Sequence, residues 1–117
     1  MIKIKRVYEA ASRSDGYRVL IDRLWPRGLT KDKAKVDLWL KEVAPSTQLR
    51  KSFGHDPGKW GEFQMEYGRE LDQKNELLRE IKNIERDHKV VTLVYGAKDD
   101  QHNDAVVLLK RLSKPRD

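Results

Sequence analysis

Two short apolar runs, far apart in the chain, constrain the fold more than any other feature. Residues 17–22 and 90–95 consist mainly of Val, Leu, Ile and Tyr. Such runs, without regular polar alternation, are typical of strands buried on both faces. Amphipathic patterns between and after them predict helices, and strands that alternate with helices favour parallel pairing. The sequence predicts an α/β fold: a single domain over residues 1–117 with a small mixed, mostly parallel sheet flanked by helices.

Further elements follow from local patterns. Residues 2–7 alternate apolar and basic side chains, which predicts a half-buried strand, either at the sheet edge or as an antiparallel partner. Thr30 and Ser46 are suitable N-caps for a short helix over 31–35 and for a helix that reaches Phe53. Residues 36–40 fit either an extended segment or a helix.

The second half of the chain is dominated by predicted helices. Asp56 followed by Pro57 is a helix start, because Pro tolerates the first helical position. An apolar stripe at helical spacing follows, and we expect a bend near Asp72. The stripe comprises Trp60, Phe63, Tyr67, Leu71, Leu77, Leu78, Ile81 and Ile84. A last helix is predicted over 104–112, with a frayed tail over 114–117.

The composition excludes several function classes. The chain has 117 residues and no Cys, which excludes disulfides, thiol nucleophiles and thiolate metal sites. No apolar run approaches the ~20 residues of a membrane span, and residues 1–6 do not resemble a signal-peptide core. We expect a cytoplasmic protein with no membrane partner. No Ser has nucleophile-elbow context, and no cofactor is predicted.

The positive charge is concentrated in the first half of the chain. Residues 1–56 contain 13 Lys and Arg against 7 Asp and Glu, whereas residues 57–117 contain 12 of each. A basic segment is a plausible footprint for a phosphate, a nucleotide or a nucleic acid. A net charge of +6 is also ordinary for a well-solvated small domain. Charge alone therefore does not decide between the two interpretations.

The loop after the first apolar strand is one candidate site. In open α/β sheets, ligands bind beyond the carboxyl ends of the central strands. Asp22, Arg23, Trp25 and Arg27 lie there within a short segment. Guanidinium groups bind phosphate or carboxylate, and an indole offers a stacking face. Alternatively, Asp22 pairs internally with an arginine and Trp25 fills the core.

The loop after the second apolar strand is the other candidate. Tyr95 precedes the small residues Gly96 and Ala97, and residues 98–103 lead into the last helix. A helix start presents unpaired N–H groups that favour an anion. The loop lacks both the Walker spacing and the dinucleotide glycine pattern. The alternative is a helix cap by Asn103 or Asp104 with exposed Lys98 and Asp99.

Metal binding has weaker support. His55 with Asp56, and His102 with Asp104, are possible ligand pairs, but neither forms a motif with an established ligand spacing. We assign no metal site.

Four blocks of the sequence resemble the YeaO-like family, a group of small bacterial proteins with a domain of unknown function. The blocks are residues 18–31, residues 37–46, residues 53–63, and residues 91–99 with Asn103. The resemblance runs over nearly the whole chain in the family's order, and residues 24–28 and 53–57 are its most specific blocks. The resemblance implies an α/β domain and carries no established reaction.

The wider superfamily adds two expectations. Its first long strand ends in an Asp-Val-Arg-like stretch, which Ile21, Asp22 and Arg23 resemble. A later strand there leads to a Cys-His-Arg ending, which residues 102–104 replace without Cys or Arg. Thiol-based chemistry is therefore not expected here.

The favoured hypothesis is a pocket for a small anionic molecule, with possible enzymatic activity. In it both loops converge, a carboxylate acts as general base, and other side chains hold or orient the ligand. The candidate catalytic residues are Asp22, Asp99, Tyr95 and His55, and the candidate ligand-binding residues are Arg23, Trp25, Arg27, Lys98 and Asn103. A nucleic-acid-binding module and a non-catalytic interaction protein are the alternatives.

Overall fold

The computed structural model describes residues 1–114, which form four strands and five α-helices. The strands are β1 (Ile2–Arg6), β2 (Tyr17–Leu20), β3 (Leu38–Trp39) and β4 (Val91–Tyr95). The α-helices are α1 (Lys31–Ala34), α2 (Thr47–Phe53), α3 (Trp60–Asp72), α4 (Asn75–His88) and α5 (Asp104–Ser113). Short 3₁₀ helices lie at Arg13–Asp15, Lys41–Val43 and Pro57–Lys59.

The sheet has the order β1-β4-β2-β3, and each of its three strand pairs is parallel. The two apolar strands, β2 and β4, lie side by side in the centre, and all five residues of β4 are buried. These observations confirm the predicted α/β class. β1 lies at an edge, as one alternative held, and pairs parallel with β4. The antiparallel alternative for residues 2–7 is therefore wrong, and residues 36–40 contribute the short edge strand β3.

The predicted helix starts are confirmed by their caps. The hydroxyl of Thr30 accepts from the Lys33 N–H at 3.2 Å, and that of Ser46 accepts from the Leu49 N–H at 3.1 Å. Asp56 caps the 3₁₀ helix that precedes α3 and accepts from the Gly58 N–H at 2.9 Å. The expected bend near Asp72 is a break between α3 and α4.

At the last helix, Asn103 is the N-cap, and its side chain accepts from the Val106 N–H at 3.0 Å. This settles the choice between Asn103 and Asp104. Of the tail predicted to be frayed, residues 115–117 lie outside the described residues.

Strand alternation divides the core between the two faces of the sheet. Val19 and Leu93 point to the larger cluster, which contains the stripe of α3 together with apolar residues of α4 and α5. Leu20 and Val94 point to a smaller cluster with Ala34 of α1. Trp25 packs against this smaller cluster, so the loop after β2 is fixed to one face of the sheet. No helix within residues 1–114 is long and apolar enough to cross a membrane.

Candidate functional site

The loops that follow β2 and β4 meet at the carboxyl edge of the sheet. The backbone N–H of Gly96, directly after β4, donates to Oδ2 of Asp22 at 2.8 Å. Parallel neighbouring strands end at the same edge, which explains why residues so distant in sequence come into contact. The convergence of the two loops, on which the pocket hypothesis depends, is therefore present.

A cavity of about 240 Å³ opens between these loops, α2 and the start of α5. It is somewhat smaller than the roughly 300–1,000 Å³ of typical ligand pockets, so it suits a small molecule or one end of a larger one. Its lining combines two carboxyl groups, two guanidinium groups, one imidazole and several apolar side chains. The lining residues are Asp22, Arg23, Leu24, Trp25, Pro26, Ala44, Pro45, Arg50, Phe53, His55, Phe63, Gly96, Ala97, Asn103 and Asp104.

Asp22 and Asp104, which we call the aspartate pair, are in hydrogen-bond contact inside the cavity. Burial raises the pKa of Asp104 well above its ordinary value, and the nearby charge of Asp22 adds to this effect. Burial also raises the pKa of Asp22, opposed by its hydrogen bonds to Asp104 and Gly96 and by the charges of His55 and Arg50. Burial therefore favours retention of a proton by the pair as a whole.

Asp104 reaches the cavity because it is the first residue of α5. Its Oδ1 accepts from the Ala105 N–H at 2.9 Å. Since Asn103 already caps the helix, Asp104 is free to turn toward Asp22. Asn103 is itself buried and donates from Nδ2 to the Asp99 carbonyl at 2.9 Å. This bond connects the start of α5 to the loop after β4.

Arg23 forms one side of the cavity and holds the segment 44–46. Its Nε donates to the Pro45 carbonyl and its Nη2 to the Ala44 carbonyl, both at 3.2 Å. Among the described residues, nothing accepts a hydrogen bond from its Nη1. Arg23 therefore stabilises the cavity wall through Nε and Nη2, and its Nη1 can donate a hydrogen bond to a ligand.

Residues 43–46 are also held by hydrogen bonds with α3 and with Lys74, which follows that helix. Glu70 accepts from the Ser46 N–H at 2.8 Å and from its hydroxyl at 2.7 Å. The buried hydroxyl of Tyr67 donates to the Val43 carbonyl at 2.8 Å, and Lys74 donates to the Ala44 carbonyl at 3.0 Å. This side of the cavity is therefore fixed before any ligand arrives.

Arg50 and His55 supply the exposed polar groups of the cavity. Arg50 lies in α2, and His55 follows the end of that helix. His55 has φ 57°, which is uncommon for a residue with a side chain, and it follows Gly54 in the same left-handed region. This backbone conformation brings the His55 ring to within 6.1 Å of Phe53, measured between ring centroids.

The apolar part of the cavity is built from aromatic rings. Phe53 and Phe63 stack with centroids 4.4 Å apart. Trp25 packs edge to face against Trp39 at 5.4 Å and donates from Nε1 to the Leu29 carbonyl at 2.7 Å. Because these contacts fix the rings, the cavity offers flat apolar surfaces in fixed orientations.

The structure brings together five of the nine sequence-predicted site residues: Asp22, Arg23, Trp25, His55 and Asn103. The other four lie outside the cavity lining. The Arg27 side chain is exposed, while its carbonyl accepts from the Tyr8 hydroxyl at 2.8 Å. Lys98 is also exposed.

Asp99 and Tyr95 have surroundings that differ from the predicted ones. Asp99 bonds the His102 ring at 2.9 Å and the N–H groups of Gln101 and His102, so it organises its own loop. Tyr95 is buried in the larger core cluster, and burial raises the pKa of its hydroxyl.

Sequence reasoning missed Arg50, Asp104 and the ring stack of Phe53 and Phe63 as cavity residues. Two features of the sequence could have indicated Arg50 and Asp104. Arg50 precedes Phe53 by three positions, which places both on one face of α2. Asp104 directly follows Asn103, and only one of two successive capping residues is needed as a cap. Within residues 1–114, no group of three or more His, Asp or Glu side chains is arranged to hold a metal ion.

The chain is a small α/β protein whose parallel sheet has an aspartate pair and two arginines in a cavity at its carboxyl edge. It belongs to the DUF488-N3i family, described as the inactive DUF488-N3 subclade, whose family model matches residues 1–116.

Relatives confirm the predicted YeaO-like resemblance. YeaO of Escherichia coli strain K12 is 43% identical over 107 residues, which cover 92% of each chain. Mb3100c of Mycobacterium bovis and Rv3073c of Mycobacterium tuberculosis are each 38% identical over 112 residues, covering 96% of this chain and 93% of theirs. No solved structure matches the chain.

Proposed function

We propose that the protein binds a small anionic molecule in the cavity between the β2 and β4 loops and does not transform it. The observation that carries the proposal is the convergence of Arg23, Arg50 and His55 on one cavity at the carboxyl edge of a parallel sheet. Guanidinium groups bind phosphate and carboxylate through paired hydrogen bonds. This is also the edge where α/β sheets bind their ligands.

The charge balance of the cavity supports an anion. Burial raises the pKa of both members of the aspartate pair, which reduces their negative charge. Arg23 and Arg50 contribute two positive charges, and neither forms an ion pair with a carboxylate among the described residues. An anion bound near Nη1 of Arg23 and the Arg50 guanidinium would balance the excess.

Two observations favour binding over catalysis. Asp22 and Asp99, the two candidates for the general base, already accept backbone hydrogen bonds, Asp22 from the Gly96 N–H and Asp99 from the N–H groups of Gln101 and His102. A carboxylate held in this way is a weaker proton acceptor than a free one. The description of the family as an inactive subclade agrees with a binding role.

Titration with inorganic phosphate tests the proposal. We expect chemical-shift changes in ¹⁵N-labelled protein confined to 22–26, 50–55 and 96–104. Arg50→Ala is expected to weaken binding about tenfold, because a hydrogen bond to a charged group contributes ~1.5–3 kcal/mol. Lys51→Ala is the matched control, since Lys51 is an exposed cation of the same helix outside the cavity. Equal losses in both variants, or shift changes scattered over the surface, would contradict a defined site.

Nucleic-acid binding remains an untested alternative. It predicts retention of unrelated DNA or RNA that falls steeply with salt. Retention at low salt that survives Arg50→Ala would favour this alternative over the small-molecule site.

A further inference from the structure

We infer that the ligand is a monocarboxylate with a compact apolar body, about the size of a six-membered carbon ring. This inference rests on the proposed function and specifies the chemical class of its ligand. The observation that carries it is the division of one cavity between buried apolar side chains and cationic groups at half-buried or exposed positions.

Buried apolar side chains form a large part of the cavity lining. They are Pro26, Ala44, Pro45, Phe53 and Phe63. Phe53 and Phe63 are only 6% and 3% exposed, and their rings stack with centroids 4.4 Å apart. Water against such a surface has few hydrogen-bond partners, so its displacement by an apolar group is favourable. A sugar would instead place hydroxyl groups where these side chains offer no partner, so the observed surface favours an apolar body.

The cationic groups of the lining lie at more accessible positions. Arg50 and His55 are exposed, and Arg23 is half-buried. Arg50 precedes the buried Phe53 by about one turn of α2, so this helix contributes both a cationic and an apolar part of the lining. A ligand satisfies both parts when its apolar body is enclosed and its anionic group lies near the guanidinium groups at the opening of the cavity.

The acidic residues of the lining limit the charge of the ligand. Asp22 and Asp104 share the cavity with Arg23 and Arg50, so an anion experiences repulsion as well as attraction. A second negative charge therefore gains little attraction and still has to be desolvated, and a phosphate monoester carries about −1.5 to −2 at pH 7. A carboxylate has one charge, and its two oxygens match the paired N–H groups of a guanidinium. Charge and donor geometry together favour a monocarboxylate.

The cavity volume limits the size of the apolar body. An apolar protein cavity of roughly 150 Å³ holds one benzene molecule. The cavity of about 240 Å³ in this protein can hold a body of that size together with its carboxylate. A short alkyl chain, a saturated ring and an aromatic ring all meet this limit, and the experiment contains an arm for each.

A series of ligands with one anionic group and growing apolar bodies tests the inference. We would titrate ¹⁵N-labelled protein with acetate, butyrate, hexanoate, benzoate and cyclohexanecarboxylate, and follow the amide shifts of 22–26, 50–55 and 96–104. From acetate to hexanoate, the affinity is expected to rise about two- to fourfold per methylene, the gain for burying that group. The tightest of hexanoate, benzoate and cyclohexanecarboxylate identifies the kind of apolar body.

Two further ligands separate the contribution of the body from that of the anionic group. Hexanamide has the body of hexanoate without its charge and is expected to bind about tenfold more weakly, because hydrogen bonds to charged groups are stronger. Ribose 5-phosphate has an anionic group on a polar body and is expected to bind more weakly than hexanoate. Tighter binding of ribose 5-phosphate would overturn the inference and leave the proposed function in place.

Leu24→Ala tests the apolar contact without disturbing the core, because Leu24 lines the cavity and is 60% exposed. The substitution is expected to lower the affinity for hexanoate about threefold and to leave that for acetate unchanged. Met65→Ala is the matched control, since Met65 is an apolar residue of α3 that is 55% exposed and lies outside the cavity lining. Equal losses in both variants, or no loss in Leu24→Ala, would contradict contact between the ligand's apolar body and this lining.

The outcomes separate this inference from the proposed function. If phosphate and acetate bind at the cavity but the affinity does not rise along the series, the inference is wrong and the proposed function stands. If hexanamide binds as tightly as hexanoate, the cavity does not select an anion and both are wrong. Both are also wrong if neither phosphate nor any of these ligands shifts the amides of the cavity.

Discussion

Asp15 and Arg18 form a buried ion pair beneath the start of β2. Nη1 of Arg18 donates to Oδ2 of Asp15 at 2.7 Å, and both side chains are almost fully buried. Arg18 also donates to the carbonyls of Ala34 and Lys35 at 2.8 and 3.1 Å. Each of the three guanidinium nitrogens of Arg18 thus donates a hydrogen bond within the protein. The pair therefore anchors β2 to α1.

The environment of Asp15 determines its protonation. Burial raises its pKa, but hydrogen bonds from the Ser12 N–H and from Lys5 and Arg18 outweigh burial and lower the pKa to about 2. A carboxyl group whose pKa is lower in the folded state stabilises the fold at pH values above its unfolded pKa. That contribution is lost as the pH falls toward the folded value.

The first prediction is that Asp15→Asn lowers the free energy of unfolding by about 3–5 kcal/mol at pH 7, because Arg18 loses its buried counter-charge. The difference between wild type and variant is expected to shrink by up to about 2 kcal/mol between pH 5 and pH 2. Urea unfolding at several pH values measures both effects. Asp87→Asn, in the exposed pair with Arg86, is expected to change stability by less than about 0.5 kcal/mol. A pH-independent difference for Asp15→Asn would contradict the stated role of its charge.

At the scale of elements, the entry into β2 depends on a close approach between two backbones. Gly16 precedes the strand with φ 62°, in the left-handed region. A Cβ at this position would overlap the carbonyl oxygen of Val90, which accepts from the Tyr17 N–H at 2.9 Å. Any side chain here would separate β2 from the start of β4.

The second prediction compares two glycines that both have positive φ. Gly28 also has positive φ, 82°, but a Cβ there would meet no atom within 4 Å. Gly28→Ala is expected to cost only the left-handed penalty of about 1–2 kcal/mol. Gly16→Ala is expected to cost about 1–3 kcal/mol more, because rigid backbone must move. Thermal unfolding of both variants measures the difference, and equal destabilisation would show that the close approach to Val90 is not limiting.

In the whole molecule, β4 is a central strand with contacts on both edges and both faces. It pairs with β1 on one side and β2 on the other, and it contributes to the core clusters on both faces of the sheet. By contrast, most residues of α2 are exposed, although this helix carries Arg50 and ends at Phe53. The free energy of local opening is therefore expected to be lower for α2 than for β4.

The third prediction concerns amide hydrogen exchange. The amides of β4 are expected to exchange only through global unfolding, and those of α2 through local opening at lower free energy. Exchange measured by NMR at increasing denaturant separates the two mechanisms. Amides of α2 that follow the global unfolding free energy as closely as those of β4 would contradict this distribution. Protection of α2 on addition of phosphate would connect its opening to ligand binding.

Much of the scaffold was predictable because its causes are local. The run at 90–95 predicts a buried strand, and Thr30, Ser46 and Asp56 each cap the helical turn that follows. Parallel pairing of β2 and β4 follows from their alternation with helices. The alternation in residues 2–7 indicated an edge but not its direction, because both directions leave one face half-buried.

The candidate site was predictable only in part, because proximity at the sheet edge depends on long-range contacts. The sequence already places Asp22, Arg23 and Trp25 directly after one central strand and Gly96 directly after another. The long-range packing of the folded chain leaves Arg27 and Lys98 outside the cavity and makes Arg50 part of its lining. The packing of α5 against β1 and β4 likewise brings Asp104 to the cavity that Asp22 lines, where burial and the second carboxyl group raise its pKa.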